Sequence, residues 1–148
     1  TVGQRLEARA VVAGTRERLI RSMELRMRAD VPLAFCMSGG VDSNACISIA
    51  ARVLGQKVRG FTIVNTDERY EEQDIIRAAV DELDVDHTEV HLSTNGFREG
   101  MTELVKHHDA PAYTVSYYVH WLLQRAISSA GYRISISGSA ADELFTGY

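Results

Sequence analysis

Leu33-Ala34-Phe35-Cys36-Met37-Ser38-Gly39-Gly40-Val41-Asp42-Ser43 decides the fold. The apolar run that opens it is too short for a helix and reads as a strand buried on both faces. Ser38-Gly39-Gly40 breaks the run. From Asp42 or Ser43 a helix is predicted, with Ala45, Ile49, Val53 and Leu54 on one side and Gly55 ending it. A buried strand that bends through two glycines into a helix is half of a βαβ unit.

The same alternation runs outward from this stretch. Upstream, residues 4–28 predict a helix, on an interrupted apolar stripe of Leu6, Ala10, Ala13, Leu19, Ile20, Met23 and Met27. Asp30-Val31-Pro32 ends it, because the residue before proline avoids the helical region. Downstream, strands are predicted over 58–64, 88–92 and 134–137, and helices over 68–83, 97–108 and 117–130. The predicted class is α/β: a mostly parallel sheet with helices on both faces. Ligands of such sheets bind beyond the carboxyl ends of the strands. Two polar, glycine-containing loops follow strand ends, after Met37 and after Ser137, and the site is expected where they meet.

Composition narrows the class. The chain has 148 residues, 45% hydrophobic and 24% charged, the balance of a soluble globular domain. No stretch approaches the roughly eighteen apolar residues of a membrane helix, so no membrane partner is expected. A net charge of −4 argues against a general nucleic-acid surface. Residues 1–30 carry seven Arg against four acids, and residues 67–89 carry ten acids against two Arg. Both runs read as solvated helix faces. The two cysteines lie outside any CxxC and fit a reducing, cytoplasmic setting. The chain opens on Thr1 and stops at Tyr148 just after a polar cluster, so a segment of a longer protein is expected.

The Ser38–Ser43 loop has the chemistry of an anion seat. Glycines let backbone amides approach a ligand, the helix start adds free N–H groups, and Ser38 and Ser43 add hydroxyls. It lacks the lysine of GxxxxGK[ST] and the spacing of GxGxxG. Asp42 beside bound phosphates requires a cation between them, for which Mg²⁺ is suited. The ordinary alternative is a plain turn with Asp42 as helix N-cap. Ser137-Gly138-Ser139-Ala140-Ala141-Asp142 repeats the arrangement: strand, glycine bend, acid, helix start. Asp142 is positioned to share a metal with Asp42.

SGGVDS resembles the pyrophosphate-binding loop of the ATP pyrophosphatase (PP-loop) superfamily, whose fold is adenine nucleotide alpha hydrolase-like. Residues 137–148 resemble the SGEGxDExFxGY stretch of the asparagine synthetase family. Asp109-Ala110-Pro111 and Asp86-His87-Thr88-Glu89 resemble further segments of it. The resemblance implies that residues 31–148 are the N-terminal part of a synthetase domain. Residues 1–30 would be a leading helix that links to an upstream glutaminase domain. It implies ATP and Mg²⁺ as cofactors, a small-molecule carboxylate as substrate and ammonia from the glutaminase as nucleophile, and it leaves a homodimer open. Ser38, Gly39, Gly40, Asp42 and Ser43 would hold pyrophosphate. Asp42 and Asp142 would bind the metal, and Met37, Ile63, Ser137 and Gly138 would line the AMP portion. The chain would adenylate a carboxylate, release pyrophosphate and transfer ammonia. This stretch alone is expected to be inactive, because a phosphate-steadying lysine is expected beyond Tyr148 and the glutaminase half, which needs an N-terminal Cys, is missing where residue 1 is Thr.

The sequence departs from the pattern at three places. Ser139 stands where asparagine-forming members place Glu and β-lactam-closing relatives place Tyr. Ala140 stands where Gly is usual, and Asn44 where a second Ser is common. The acceptor acid therefore stays unnamed. A tRNA-modifying ATP pyrophosphatase and a nucleotide-binding module without catalysis remain the alternatives.

Elsewhere the bland reading is preferred. Cys36 and Cys46 read as core. His87, Glu89 and His91 share a strand face that has metal-ligand chemistry but no further spaced ligand. His107 and His108 suit a helix C-terminus. Tyr113, Tyr117, Tyr118 and Trp121 read as packing residues, and Glu143 as a first-turn helix acid.

Overall fold

The computed structural model describes residues 7–64 and 72–145. Four strands form one sheet: β1 (Leu33–Cys36), β2 (Arg59–Val64), β3 (Asp86–His91) and β4 (Ile134–Ile136). Their order is β3-β2-β1-β4, and every neighbouring pair is parallel. Parallel pairing follows from the connections, since each strand reaches the next through helix. α1 (Ala8–Arg26) precedes the sheet. α2 (Val41–Ser48) runs on as a π-helical turn over Ile49–Val53, and α3 (Gln73–Leu83) joins β2 to β3. α4 (Phe97–His108), α5 (Val115–Ser129) and the short α6 (Ala141–Phe145) are the remaining helices among the described residues.

Alternation along β1 divides the core. Phe35 and Met37 face one layer, with Met23, Ile47, Ala50, Val58, Val85 and Ile136. Ala34 faces the other, with Phe61, Leu123 and Ile127 of α5. The sheet is thus covered on both sides, as its continuous apolar strands require. Gly100 lets α4 approach α5: a Cβ there would lie 2.8 Å from Tyr118 Cε2. Tyr118 stacks edge-on against Phe97 at 4.8 Å and leans on Trp121 at 5.7 Å. Of the aromatic cluster, Tyr118 is core, whereas Tyr113 and Tyr117 are exposed.

Several boundaries differ from the sequence reading. β1 ends at Cys36, although the Met37 amide still donates to Phe61 O at 2.8 Å. β3 starts at Asp86, two residues early, where its backbone pairs with Arg59, whose side chain also reaches Asp86 and Thr88. α5 begins at Val115, directly after the extended Thr114. The helix predicted over 68–83 is helical from Gln73; residues 68–71 lie outside the described residues. α1 carries the largest difference. Of its predicted stripe, Met23 is buried and Leu19, Ile20 and Met27 are half-buried, but Ala10 and Ala13 are exposed and Leu6 lies outside the described residues. Only the C-terminal half of α1 meets the sheet layer.

The chain runs β1, β2, β3 toward one edge and then returns to place β4 on the other side of β1. The connections leaving β1 and β4 therefore diverge, and their loops open a crevice at the carboxyl ends.

Candidate functional site

That crevice is a cavity of about 510 Å³. Met37, Ser38, Gly40, Asp42, Ser43, Ile63, Ser137, Gly138 and Asp142 line it. Gly39 is the one candidate residue outside its wall. The two acids, 100 residues apart in sequence, face one cavity because β1 and β4 are neighbours.

The first loop is held by its own polar groups. Gly40 is the extended N-cap residue of α2, with no side-chain cap, so Asp42 sits in the first turn and is not the N-cap. Ser43 is buried, and its Oγ accepts from the Ser38 amide at 3.2 Å. The same oxygen lies 3.1 Å from the carbonyls of both Ser38 and Gly40 and 2.8 Å from Ser38 Oγ. Ser43 is therefore committed to the loop itself, while Ser38 Oγ also accepts from the Gly40 amide at 3.2 Å. Asn44 donates through Nδ2 to Ser38 O at 3.1 Å and Gly40 O at 2.9 Å. An amide at this position ties two carbonyls, which a serine hydroxyl with one proton cannot do.

The second loop packs directly on the first. A Cβ on Gly138 would lie 2.6 Å from Ser43 N and 2.7 Å from Asp42 Cβ. Ser137 Oγ donates to Ser139 Oγ at 3.0 Å. Ala140 adopts a left-handed backbone with φ of 72°. A larger apolar cavity, about 760 Å³, lies behind Gly138 between α1, α2 and α6. It shares Asp42, Ser137, Gly138 and Ser139 with the smaller one, but Ser38, Ser43 and Asp142 line only the smaller.

Other wall residues escaped the sequence reading. Glu72, His120 and Gln124 line the cavity, the last two one turn apart on α5. Their i, i+4 spacing marks a shared face, but nothing local says that the face meets strand ends. Thr62 also lines it, donating to Met37 O at 3.3 Å and lying 3.0 Å from His87 Nε2. Burial lowers the His87 pKa; Glu89 raises it and Arg59 lowers it by smaller amounts. Cys36 packs beside the Ala34–Phe61 cluster, yet it also lines the cavity. Burial raises its thiol pKa, against hydrogen bonds from Ser135 and Gln124. His91 lies 3.5 Å from Glu89, and no group of three metal-ligating side chains occurs among the described residues. Among them, no helix is long and apolar enough to cross a membrane.

Comparison with known proteins agrees with this fold. The chain is 27% identical over 152 residues to the amidase chyE of Penicillium rubens. It is 25% identical over 142 residues to an asparagine synthetase [glutamine-hydrolyzing] of Bacillus subtilis. It is 29% identical over 145 residues to one of Zea mays. These alignments take in 90–93% of the chain but only 22–24% of the relatives, so the chain spans about a quarter of their length. The NMN synthetase of Francisella tularensis aligns with a TM-score of 0.55 over 90% of this chain and 56% of that one, at 16% identity. The NH3-dependent NAD synthetase of Campylobacter jejuni aligns with a TM-score of 0.57 over 90% and 58%, also at 16% identity. At that identity the two likenesses speak for the fold alone. The family model described as asparagine synthase matches residues 14–148, and the chain belongs to that family.

Proposed function

We propose that this chain is the nucleotide-binding part of an ATP-dependent, amide-forming ligase that uses ammonia released from glutamine. The observation that carries the reading is the contact of Gly138 with the first turn of α2, which sets both acids on one cavity beside the Ser38–Ser43 loop.

Backbone amides of the loop and the α2 N-terminus would receive the pyrophosphate of ATP. Asp42 and Asp142 would hold Mg²⁺. The fit rests on donor chemistry: carboxylate oxygens on one cavity wall, beside a phosphate seat, suit a hard cation that keeps several waters and takes phosphate oxygens. When bound, the ion neutralises phosphate charge. The acceptor carboxylate attacks the α-phosphorus, the bond to pyrophosphate breaks, and an acyl-adenylate forms. Ammonia then attacks the acyl carbon, AMP leaves with the C–O electron pair, and the nitrogen releases one proton to water. Met37, Ile63, Ser137 and Gly138 would line the AMP portion. The free, half-buried Cys36 and Cys46 suit a reducing cytoplasm.

The test is carboxylate-dependent ATP–pyrophosphate exchange by the full-length protein. Exchange that Asp42→Asn or Asp142→Asn abolishes supports the reading; full exchange in both variants removes it. A nucleotide-binding module without catalysis is the second reading. Ser139 favours it, because its hydroxyl accepts from Ser137 and brings no acid–base group to the cavity.

A further inference from the structure

The Gly39 amide already holds an anion. It donates to Glu72 Oε2 at 2.6 Å, across 33 residues of sequence. The Glu72 side chain lies flat along Gly39: a Cβ on Gly39 would be 2.7 Å from Glu72 Cβ and 3.0 Å from its Cγ and Cδ. Glu72 is the N-cap residue of α3 but makes no side-chain cap bond, is exposed, and lines the same cavity as Ser38, Asp42 and Asp142. Among the described residues its carboxylate meets no Arg or Lys.

A carboxylate oxygen and a phosphate oxygen make the same demand on a backbone N–H. One N–H cannot serve both fully, and a polyphosphate beside an exposed carboxylate is repelled by it. The loop does not need Glu72 as a strut, since Ser38, Ser43 and Asn44 already bond it internally.

We propose that Glu72 is a displaceable stand-in for pyrophosphate. Its carboxylate keeps the empty loop's amide satisfied, yields it when the nucleotide arrives, and reclaims it as pyrophosphate leaves. It thereby sets the affinity for that product. The proposal rests on the reading of residues 38–43 as the pyrophosphate seat.

The experiment is calorimetric titration of the full-length protein, its Glu72→Gln and its Glu72→Ala variants with magnesium pyrophosphate. Glu72→Gln keeps an oxygen that can accept from Gly39 but removes the charge. Both variants are expected to bind pyrophosphate about five-fold tighter or more, by loss of one like-charge interaction, and the gap narrows with added salt. Product inhibition by pyrophosphate strengthens in step, while KM for the acceptor acid stays unchanged. A strut gives the opposite pattern, with Glu72→Ala binding more weakly and Glu72→Gln unchanged; that result overturns the proposal. Equal binding by all three proteins overturns it and leaves the pyrophosphate seat standing. No binding by any of them removes both.

Discussion

Gly138 backs onto the amide of Ser43 so closely that a methyl group between them would lie 2.6 Å from the nitrogen. The atoms it would meet are two backbone atoms and the Asp42 Cβ at the first turn of α2, none of which can rotate away as the end of a side chain would. One hydrogen at position 138 therefore fixes the distance between the loop after β1 and the loop after β4.

Gly138→Ala is expected to push the loops apart. Overpacking of this kind costs about 1–3 kcal/mol, to be read as a lower urea midpoint. The separation also moves Asp142 relative to Asp42, so ATP affinity should fall more than stability alone explains. A variant with unchanged midpoint and unchanged ATP binding would show that the loops do not meet as described.

Ala140 is a strained residue with an identifiable remedy. Its φ of 72° places a Cβ in the left-handed region, at a cost of about 1–2 kcal/mol relative to the right-handed region. Glycine removes that cost but loses more freedom on folding. Ala140→Gly should gain about 0.5–1 kcal/mol in net, seen as a raised urea midpoint. A lowered midpoint would contradict the backbone geometry at this turn.

What the sequence made legible is what local chemistry encodes. The run of residues 33–37, flanked by Pro32 and Ser38, could only be a short buried strand, and the acids after each glycine bend were visible as a repeated pattern. The helix over Phe97–His108 was bounded by Gly96 and Asp109, both now seen with positive φ. Other features depend on what the chain meets far away. Glu72 reaches Gly39 only because α3 starts above the end of β1. His120 and Gln124 reach the cavity only because α5 crosses β2. The alanines of α1 obey helical spacing, but Ala10 and Ala13 in its N-terminal half stay exposed. Periodicity reports which face is apolar, and the neighbour that covers it comes from tertiary packing.

His87 gives the fold a pH response of known sign. Burial holds its pKa below the ordinary imidazole value, and its Nε2 lies 3.0 Å from Thr62 Oγ1 beneath the cavity. The folded state therefore binds this proton less readily than the unfolded chain does. The associated stability is complete above about pH 6.5, is lost progressively as pH falls toward the lowered folded pKa, and then levels off. Thermal melts of the full-length protein at pH 7.5 and 5.5 should show a larger drop for the native sequence than for His87→Gln. An equal drop would mean that His87 is not desolvated in the fold.

Cys36 reports whether nucleotide occupies the cavity. Its thiol lines the wall near Ser135 and Gln124, and burial raises its pKa. The thiolate is the reactive form, so iodoacetamide at neutral pH should label Cys36 more slowly than a free thiol and faster as pH rises. Cys46 is the internal comparison. Its pKa is also raised, by burial first and then by Asp42, but its side chain packs toward the Met23–Phe35 layer. Mass spectrometry of the labelled full-length protein should show magnesium ATP slowing modification at Cys36 and leaving Cys46 much less affected. Equal labelling of Cys36 with and without nucleotide would count against ATP in the cavity of about 510 Å³ that this residue helps to wall.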